Sequence, residues 1–337
     1  MNTPEILTLP KDSGKLSLDP LRDQRIAVLG FGNQGSAHAL NLRDSGFEVL
    51  VANRPDSPNG QRALSAGFVP HSIPKAIDEA NLVILALPDE VLPELYATTI
   101  EPLLAPGTIL GFLHGFNIRY QLVNPREDLG VVMVAPKGPG ATLRKIYVED
   151  RGIPCLYALH QSDLAERAES IALAWATGIG CARAGVIRTT FADETECDLF
   201  GEQAVLCGGL SELIYAAYET LVERGYPPAL AYLECCHEVK QVADLIYSRG
   251  MAGMFQAISS TAEYGAHVTG SRVIDDHVRE RLTRLLDEIR DGAFAREFRH
   301  DAAEGFRAFA AWRQRRREHP MEDAGQAVRA LMPWLKG

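Results

Sequence analysis

Cysteine is scarce in this sequence. Six occur among 337 residues (Cys155, Cys181, Cys197, Cys207, Cys235 and Cys236), and no two form a Cys-x-x-Cys pair. That spacing argues against a zinc ribbon and a disulfide framework, so the thiols read as reduced packing residues. Long hydrophobic runs are also lacking. The longest, "NLVILALP", is too short to span a bilayer. The opening "MNTPEILTLPKDSGK" has no basic segment ahead of an apolar one, so it does not read as a secretory signal. Positive charge is in deficit, with 34 Lys and Arg against 44 Asp and Glu and a net charge of -10. A nucleic-acid surface is therefore not the expected partner. The basic stretch "RQRRRE" (Arg313 to Glu318) lies in a charge-mixed, helix-like region and reads as a solvated face. Internal repeats and low-complexity segments are missing as well. The expectation is a cytoplasmic protein without membrane or nucleic-acid partners.

What is present is 46% hydrophobic residues, 23% charged residues and enough chain for two domains. From Arg25 to about Phe191 short apolar runs alternate with helix-like stretches. The runs are "RIAVLG", "EVLVAN", "LVILALP", "TILGFLHG", "VVMVAPKG" and "PCLYALH", and they end in Gly, Pro, Asn or His. Continuous apolar strands separated by helices imply a mostly parallel sheet covered on both faces. After Phe191 the strand signals stop and long helical patterns follow, punctuated by Gly225–Tyr226–Pro227–Pro228 and Gly250. The expected architecture is an α/β, Rossmann-like domain over residues 1–190 and an all-α domain over 191–337.

Within the first run lies "GFGNQG": Gly30, Phe31, Gly32, Asn33, Gln34 and Gly35. It follows a strand, opens a helix and precedes a second strand. Glycines permit a tight turn and close backbone approach, and the helix start offers free N–H groups to a pyrophosphate. The second strand ends at Asn53, where an NAD site usually carries Asp or Glu. Arg54 and Ser57 there suit a 2′-phosphate, and Asp56 opposes it. The expectation is NADPH, with NADH possible.

Two acid pairs stand out in the second half. Asp198 and Glu202 are four residues apart, as are Glu234 and Glu238, and each pair shares a helix face among apolar neighbours. Four converging carboxylates repel unless cations neutralise them. All-oxygen ligands suit Mg²⁺ or Mn²⁺. Spacing alone leaves open a plain alternative, in which each pair is an exposed, salt-bridged helix face. Cys235, Cys236 and His237 point around other faces and read as packing residues.

At this point the residues resemble a known family. "GFGNQGSAHALNLRDSG", "HGFNI", "VAPKGPG", "TTFADETECDLFGEQAVLCGG", "ECCHEVK", "STAEYG", "AFAREF", "RREHP" and "MPWL" run in order over residues 20 to 335. Together they are similar to ketol-acid reductoisomerase of the short bacterial type, class I. The resemblance implies a Rossmann domain that binds NADPH, a knotted helical domain, and a homodimer with shared active sites that can assemble further. It implies two Mg²⁺ ions held by Asp198 and Glu202 of one subunit and Glu234 and Glu238 of the other. Asp198 resembles the carboxylate that bridges the metals, and Glu202 shares its catalytic role. Ser259, with Glu238, resembles the substrate-binding group. His114 and Lys137 resemble the polar pair at the reaction site, with His114 and Gly140 also beside the cofactor. The implied reaction is alkyl migration in 2-acetolactate or 2-aceto-2-hydroxybutyrate, followed by reduction to the 2,3-dihydroxy acid in branched-chain amino-acid biosynthesis.

The sequence departs from the family pattern in places. Ala141 follows "KGPG" where His is usual, Ala266 follows "TAEYG" where Asp is usual, and Ser271 replaces Pro. The Arg54–Asn59 loop is also altered. These changes motivate two alternatives: a paralogue acting on a different 2-keto or 2-hydroxy-3-keto acid, and a non-catalytic nucleotide-binding regulator.

Overall fold

The structure, a computed structural model, describes residues 4–161 and 164–335. The first three residues of the N-terminal stretch read above lie outside the described residues, as do the last two of the helical domain. The chain divides into two compact units, Met1–Cys197 and Asp198–Gly337. The domain boundary expected near residue 190 coincides with the start of a helix, Phe191–Gly201, and the two units divide inside that helix.

The first unit is built on a nine-stranded sheet. Its strands are β1 (Ile6–Leu7), β2 (Ile26–Leu29), β3 (Val49–Ala52), β4 (Pro70–His71), β5 (Leu82–Leu85), β6 (Ile109–Phe112), β7 (Gly130–Pro136), β8 (Cys155–Leu159) and β9 (Val186–Arg188). Their order across the sheet is β1-β9-β8-β7-β6-β5-β2-β3-β4. Pairings are parallel except β1 with β9 and β7 with β8. The mostly parallel, Rossmann-like sheet is the expected one. All six anticipated runs became strands, while β1, β4 and β9 were not anticipated.

Side-chain alternation explains why those strands are apolar throughout. In β2, Ile26 and Val28 join the core on one face, and Ala27 and Leu29 join the core on the other. In β5, Leu82 and Ile84 divide from Val83 and Leu85 in the same way. Each fully buried Leu or Ile stabilises the fold by about 1.5–3 kcal/mol, so a polar residue on either face is costly. Gly111 in β6 has a packing role. A β-carbon there would lie 2.7 Å from the ring of Trp175, which is fully buried on the helix Ala165–Gly178.

The second unit is all helical among its described residues, as expected. Its compact core joins Tyr218, Ala231, Tyr232, Met321, Ala324 and Val328. Much of the rest is open. Tyr247 is 81% exposed, Tyr264 72% and Met251 62%. Gly250, at φ 69°, kinks the helix Val239–Phe255. One finding differs from the sequence reading: the helical stretch Phe191–Glu223 is 33 residues long and reaches a mean hydropathy of 1.2, enough to cross a membrane by length and composition. Counting unbroken apolar runs missed it, because Glu202 and Glu212 interrupt residues that are apolar on average.

Candidate active site

The phosphate loop forms as its glycines require. Gly30 leaves β2 with φ at 106°, and a β-carbon there would lie 2.2 Å from the carbonyl oxygen of Ala86. Gly35 is packed as closely, with its missing β-carbon 2.4 Å from the Gly30 oxygen. The helix Asn33–Asp44 then begins after Gly32, so its first N–H groups open toward a ligand. The segment after β7 braces this loop. Gln34 Nε2 donates to the Gly138 carbonyl at 3.0 Å, and Asn33 Oδ1 accepts from the Ala141 N–H at 3.1 Å. A β-carbon on Gly140 would lie 2.1 Å from the Asn33 oxygen, so Gly140 packs on the loop backbone.

Phe31 turns its side chain away from the loop. Its ring is buried edge-on against Phe68, with centroids 5.6 Å apart, so only its backbone remains for a cofactor. That backbone oxygen accepts from Arg62 Nη2 at 2.8 Å. Arg62 therefore carries positive charge to the phosphate loop, a feature the sequence reading missed. At the end of β3, Ser57 caps the helix Pro58–Ser65 by accepting from the Gly60 N–H at 3.0 Å. Its single hydroxyl proton is shared between Asn53 Oδ1 at 2.8 Å and the Arg54 carbonyl at 2.7 Å. Arg54 and Asp56 are both exposed beside it.

The strand ends of β6 and β7 bring His114 and Lys137 together around a residue that the sequence reading passed over. Glu194 is almost fully buried, with 1% of its side chain exposed. Its Oε1 accepts from Lys137 Nζ at 2.8 Å. Its Oε2 accepts from the Gly115 N–H at 3.0 Å and lies 2.9 Å from His114 Nδ1. Burial alone would raise its pKa, but His114 and Lys137 outweigh burial and hold the carboxyl at about 2. Local sequence explains the placement. Thr190 Oγ1 accepts from the Asp193 N–H at 3.0 Å and starts the helix, and acids in its first turn suit the helix dipole. Glu194 stands four residues before Asp198 and eight before Glu202, so it heads the same helical stripe. That spacing was the available signal.

Behind His114 lies a second unforeseen carboxylate. Asp89, after β5, accepts from Asn117 Nδ2 at 2.7 Å. Burial pushes its pKa up to about 6, partly offset by the nearby His114. Asn117 is 1% exposed in the "HGFN" turn.

One acid of each pair lies in a π-turn rather than on plain α-helix. Glu202 opens a π-turn, Glu202–Leu206, and its carbonyl accepts from the Cys207 N–H at 2.9 Å. Glu234 lies in a second π-turn, Leu233–His237, closed by the Glu238 N–H on the Leu233 carbonyl at 3.1 Å. In a turn widened to five residues, positions four and five apart sit above one another, so each pair still shares a face. Glu202, Glu234 and Glu238 are exposed and Asp198 is half-buried. Among the described residues of one chain, no group of three or more possible metal ligands includes Glu202, Glu234 or Glu238. Cys235, Cys236 and His237 are half-buried, in keeping with packing. Ser259 is exposed and caps the helix Ser260–Val273, accepting from the Ala262 N–H at 3.2 Å.

Comparison with known proteins gives the family. Residues 20–185 match the profile of the acetohydroxy acid isomeroreductase NADPH-binding domain, and residues 191–334 match that of the ketol-acid reductoisomerase C-terminal domain. A ketol-acid reductoisomerase (NADP(+)) of Chloroherpeton thalassium is 48% identical over 315 residues, 94% of this chain and 93% of its own length. The solved structure of an NADH-preferring ketol-acid reductoisomerase from an uncultured archaeon is 40% identical, with a TM-score of 0.94 over 98% of this chain and 99% of that one. A semialdehyde dehydrogenase NAD-binding protein from Cupriavidus necator, 23% identical with a TM-score of 0.61 over 80% of this chain and 99% of its own, shares the fold alone.

Proposed function

The chain belongs to the ketol-acid reductoisomerase family, class I, and is an NADP(H)-dependent enzyme of branched-chain amino-acid biosynthesis; from that premise we propose how its own residues divide the work. The observation that carries the proposal is Glu194, buried between Lys137 Nζ at 2.8 Å and His114 Nδ1 at 2.9 Å. We infer that the ionised, buried carboxylate fixes the His114 ring and the Lys137 ammonium in place, so that Lys137 Nζ is the group positioned to hydrogen-bond and protonate the reacting oxygen. Lys137 remains 33% exposed, so its ammonium is accessible as well as anchored.

Asp198, Glu202, Glu234 and Glu238 are the proposed holders of two Mg²⁺ ions. The fit rests on the donor set: four carboxylates, hard oxygen ligands only, each pair beside a π-turn of the kind found at functional sites. The chemistry supplied by bound Mg²⁺ is polarisation of the substrate hydroxyl and ketone oxygens, and that supplied by bound nicotinamide is a hydride. The start of the helix Asn33–Asp44 binds the pyrophosphate, Arg54 and Ser57 meet a 2′-phosphate, and Arg62 adds charge. Ser259, at the start of its helix, and Glu238 orient the substrate carboxylate and hydroxyl.

The substrate is 2-acetolactate or 2-aceto-2-hydroxybutyrate, and the cofactor preference is NADPH over NADH. The working form is a homodimer in which Glu234 and Glu238 come from the partner. Supporting this, those residues join no ligand cluster among the described residues of one chain, and Tyr247 and Tyr264 are left largely exposed. A knotted helical domain and a cytoplasmic location belong to the same reading. The test is 2-acetolactate-dependent oxidation of NADPH and of NADH, each with and without Mg²⁺. Mg²⁺-dependent turnover favouring NADPH is the expected result. Turnover on another 2-keto acid with none on acetolactate would move the substrate assignment to the divergence at Ala141 and Ala266.

A further inference from the structure

Only the first of the two acid-bearing π-turns is followed by a pair of glycines, and the reason is steric. After the Cys207 N–H bonds the Glu202 carbonyl, the chain continues as Gly208 and Gly209. A β-carbon on Gly208 would lie 2.2 Å from the carbonyl oxygen of Gln203, and one on Gly209 1.9 Å from that of Ala204. Both carbonyls are five residues back, inside the widened turn, and belong to the two residues that follow Glu202. A real β-carbon essentially never approaches closer than 3.0 Å, so these backbone oxygens would have to retreat. The second π-turn is followed by Val239 and Lys240, which carry β-carbons. A π-turn as such therefore does not need glycine. The two turns close differently: Cys207 after the first has φ -116° and ψ -56°, whereas Glu238 after the second has φ -72° and ψ -17°.

The position of Glu202 depends on that turn. Asp198 precedes it on ordinary helix, whereas the Glu202 carbonyl is the acceptor that closes it. Restoring an α-helical bond would remove the extra residue and rotate everything beyond by about 100°. Pushing the Gln203 or Ala204 carbonyl outward would tilt the peptide next to Glu202. Binding sites tolerate displacements of only about 0.5 Å in their ligand groups.

We propose that Gly208 and Gly209 are positioning residues that hold the Glu202 carboxylate in its cation-binding arrangement by keeping the Glu202–Leu206 π-turn open. Neither has a side chain that could ligate a metal or bind substrate. The inference rests on the reading of Glu202 as a metal ligand.

The test uses the full chain and Mn²⁺, with free Mn²⁺ followed by electron paramagnetic resonance. NADPH affinity and far-ultraviolet circular dichroism report folding. Gly208→Ala and Gly209→Ala are compared with Glu202→Gln and with Gly201→Ala. Gly201 has helical backbone and open space where its β-carbon would go, so it is the control. The expected result is Mn²⁺ binding weakened roughly 10- to 100-fold in both downstream glycine variants, with NADPH affinity unchanged and Gly201→Ala like wild type. The double variant Gly209→Ala with Glu202→Gln should bind no more weakly than Glu202→Gln alone, because one acts through the other. Additive losses would point to a general structural role and overturn the proposal. So would wild-type Mn²⁺ affinity in Gly208→Ala and Gly209→Ala, or equal loss in Gly201→Ala. Wild-type affinity in Glu202→Gln would instead sink the metal assignment itself. If Gly208→Ala fails to fold, the Gly209→Ala cycle decides alone.

Discussion

Replacing His38 should change how the nucleotide-binding unit responds to acid. His38 is fully buried on the helix Asn33–Asp44, and its Nδ1 accepts from Trp175 Nε1 at 3.0 Å. Burial lowers its pKa from 6.5 to about 3. The unfolded chain therefore binds a proton below pH 6.5 that the folded chain refuses until about pH 3. Stability must rise with pH across that window and fall as acid is added. Each pH unit is worth about 1.4 kcal/mol, so going from pH 6.5 to pH 5 costs about 2 kcal/mol and the full span about 5 kcal/mol. His38→Gln keeps an acceptor for Trp175 but removes the titration. Urea unfolding followed by tryptophan fluorescence at pH 7.5, 6.5, 5.5 and 5 should show the variant gaining on wild type as pH falls. Parallel stability curves for the two proteins over this range would refute a buried, neutral His38.

Other outcomes follow from the same contacts. Glu194→Gln strips the buried counter-charge from Lys137 and His114, and steady-state kinetics should show kcat reduced by about 10²-fold or more with NADPH affinity kept. Gly111→Ala drives a β-carbon to 2.7 Å from Trp175 and should destabilise the fold by about 1–3 kcal/mol in urea titration. Gly30→Ala should abolish NADPH binding measured by fluorescence, because its backbone is left-handed and the Ala86 oxygen lies 2.2 Å from the new β-carbon.

The parts of the fold that could be read in advance are those with long, regular patterns. β2, β5, β6 and β7 are apolar on both faces and announced themselves. β1, β4 and β9 are two or three residues long, too short for any alternation to register. The glycines of the phosphate loop were legible because their steric role is local. The burial of the Phe31 ring was not legible, because a side chain next to a loop glycine can turn either into the core or toward a ligand. The acid pairs were legible as pairs, but the π-turns beneath them were not, since spacing of four fits either helix type. Gly208–Gly209 was the local sign of the first. Glu194 was overlooked because its partners come from β6 and β7, 80 and 57 residues earlier in the chain, although its place in the stripe with Asp198 and Glu202 was visible.

Asp89 completes the argument about charge, because its effect on stability runs opposite to that of His38. Burial raises its pKa from 3.8 to about 6, so the folded state holds a proton that the unfolded state has released. The stability from that proton is fully present below pH 3.8 and is lost as pH rises through 6. At pH 7.5 the ionised carboxylate therefore costs the fold about 3 kcal/mol relative to a neutral group. Asp89→Asn keeps an oxygen for Asn117 Nδ2 and removes the charge. Thermal unfolding should show it more stable than wild type at pH 7.5 and little different at pH 4. A residue that weakens the fold at working pH beside His114 is better accounted for by the site than by the core. Turnover should fall in the same variant as stability rises. An Asp89→Asn protein that is less stable at pH 7.5, with turnover intact, would show the carboxylate to be an ordinary structural acceptor. Wild-type acid unfolding alone does not separate the two residues, since between pH 4 and 6 their slopes oppose one another.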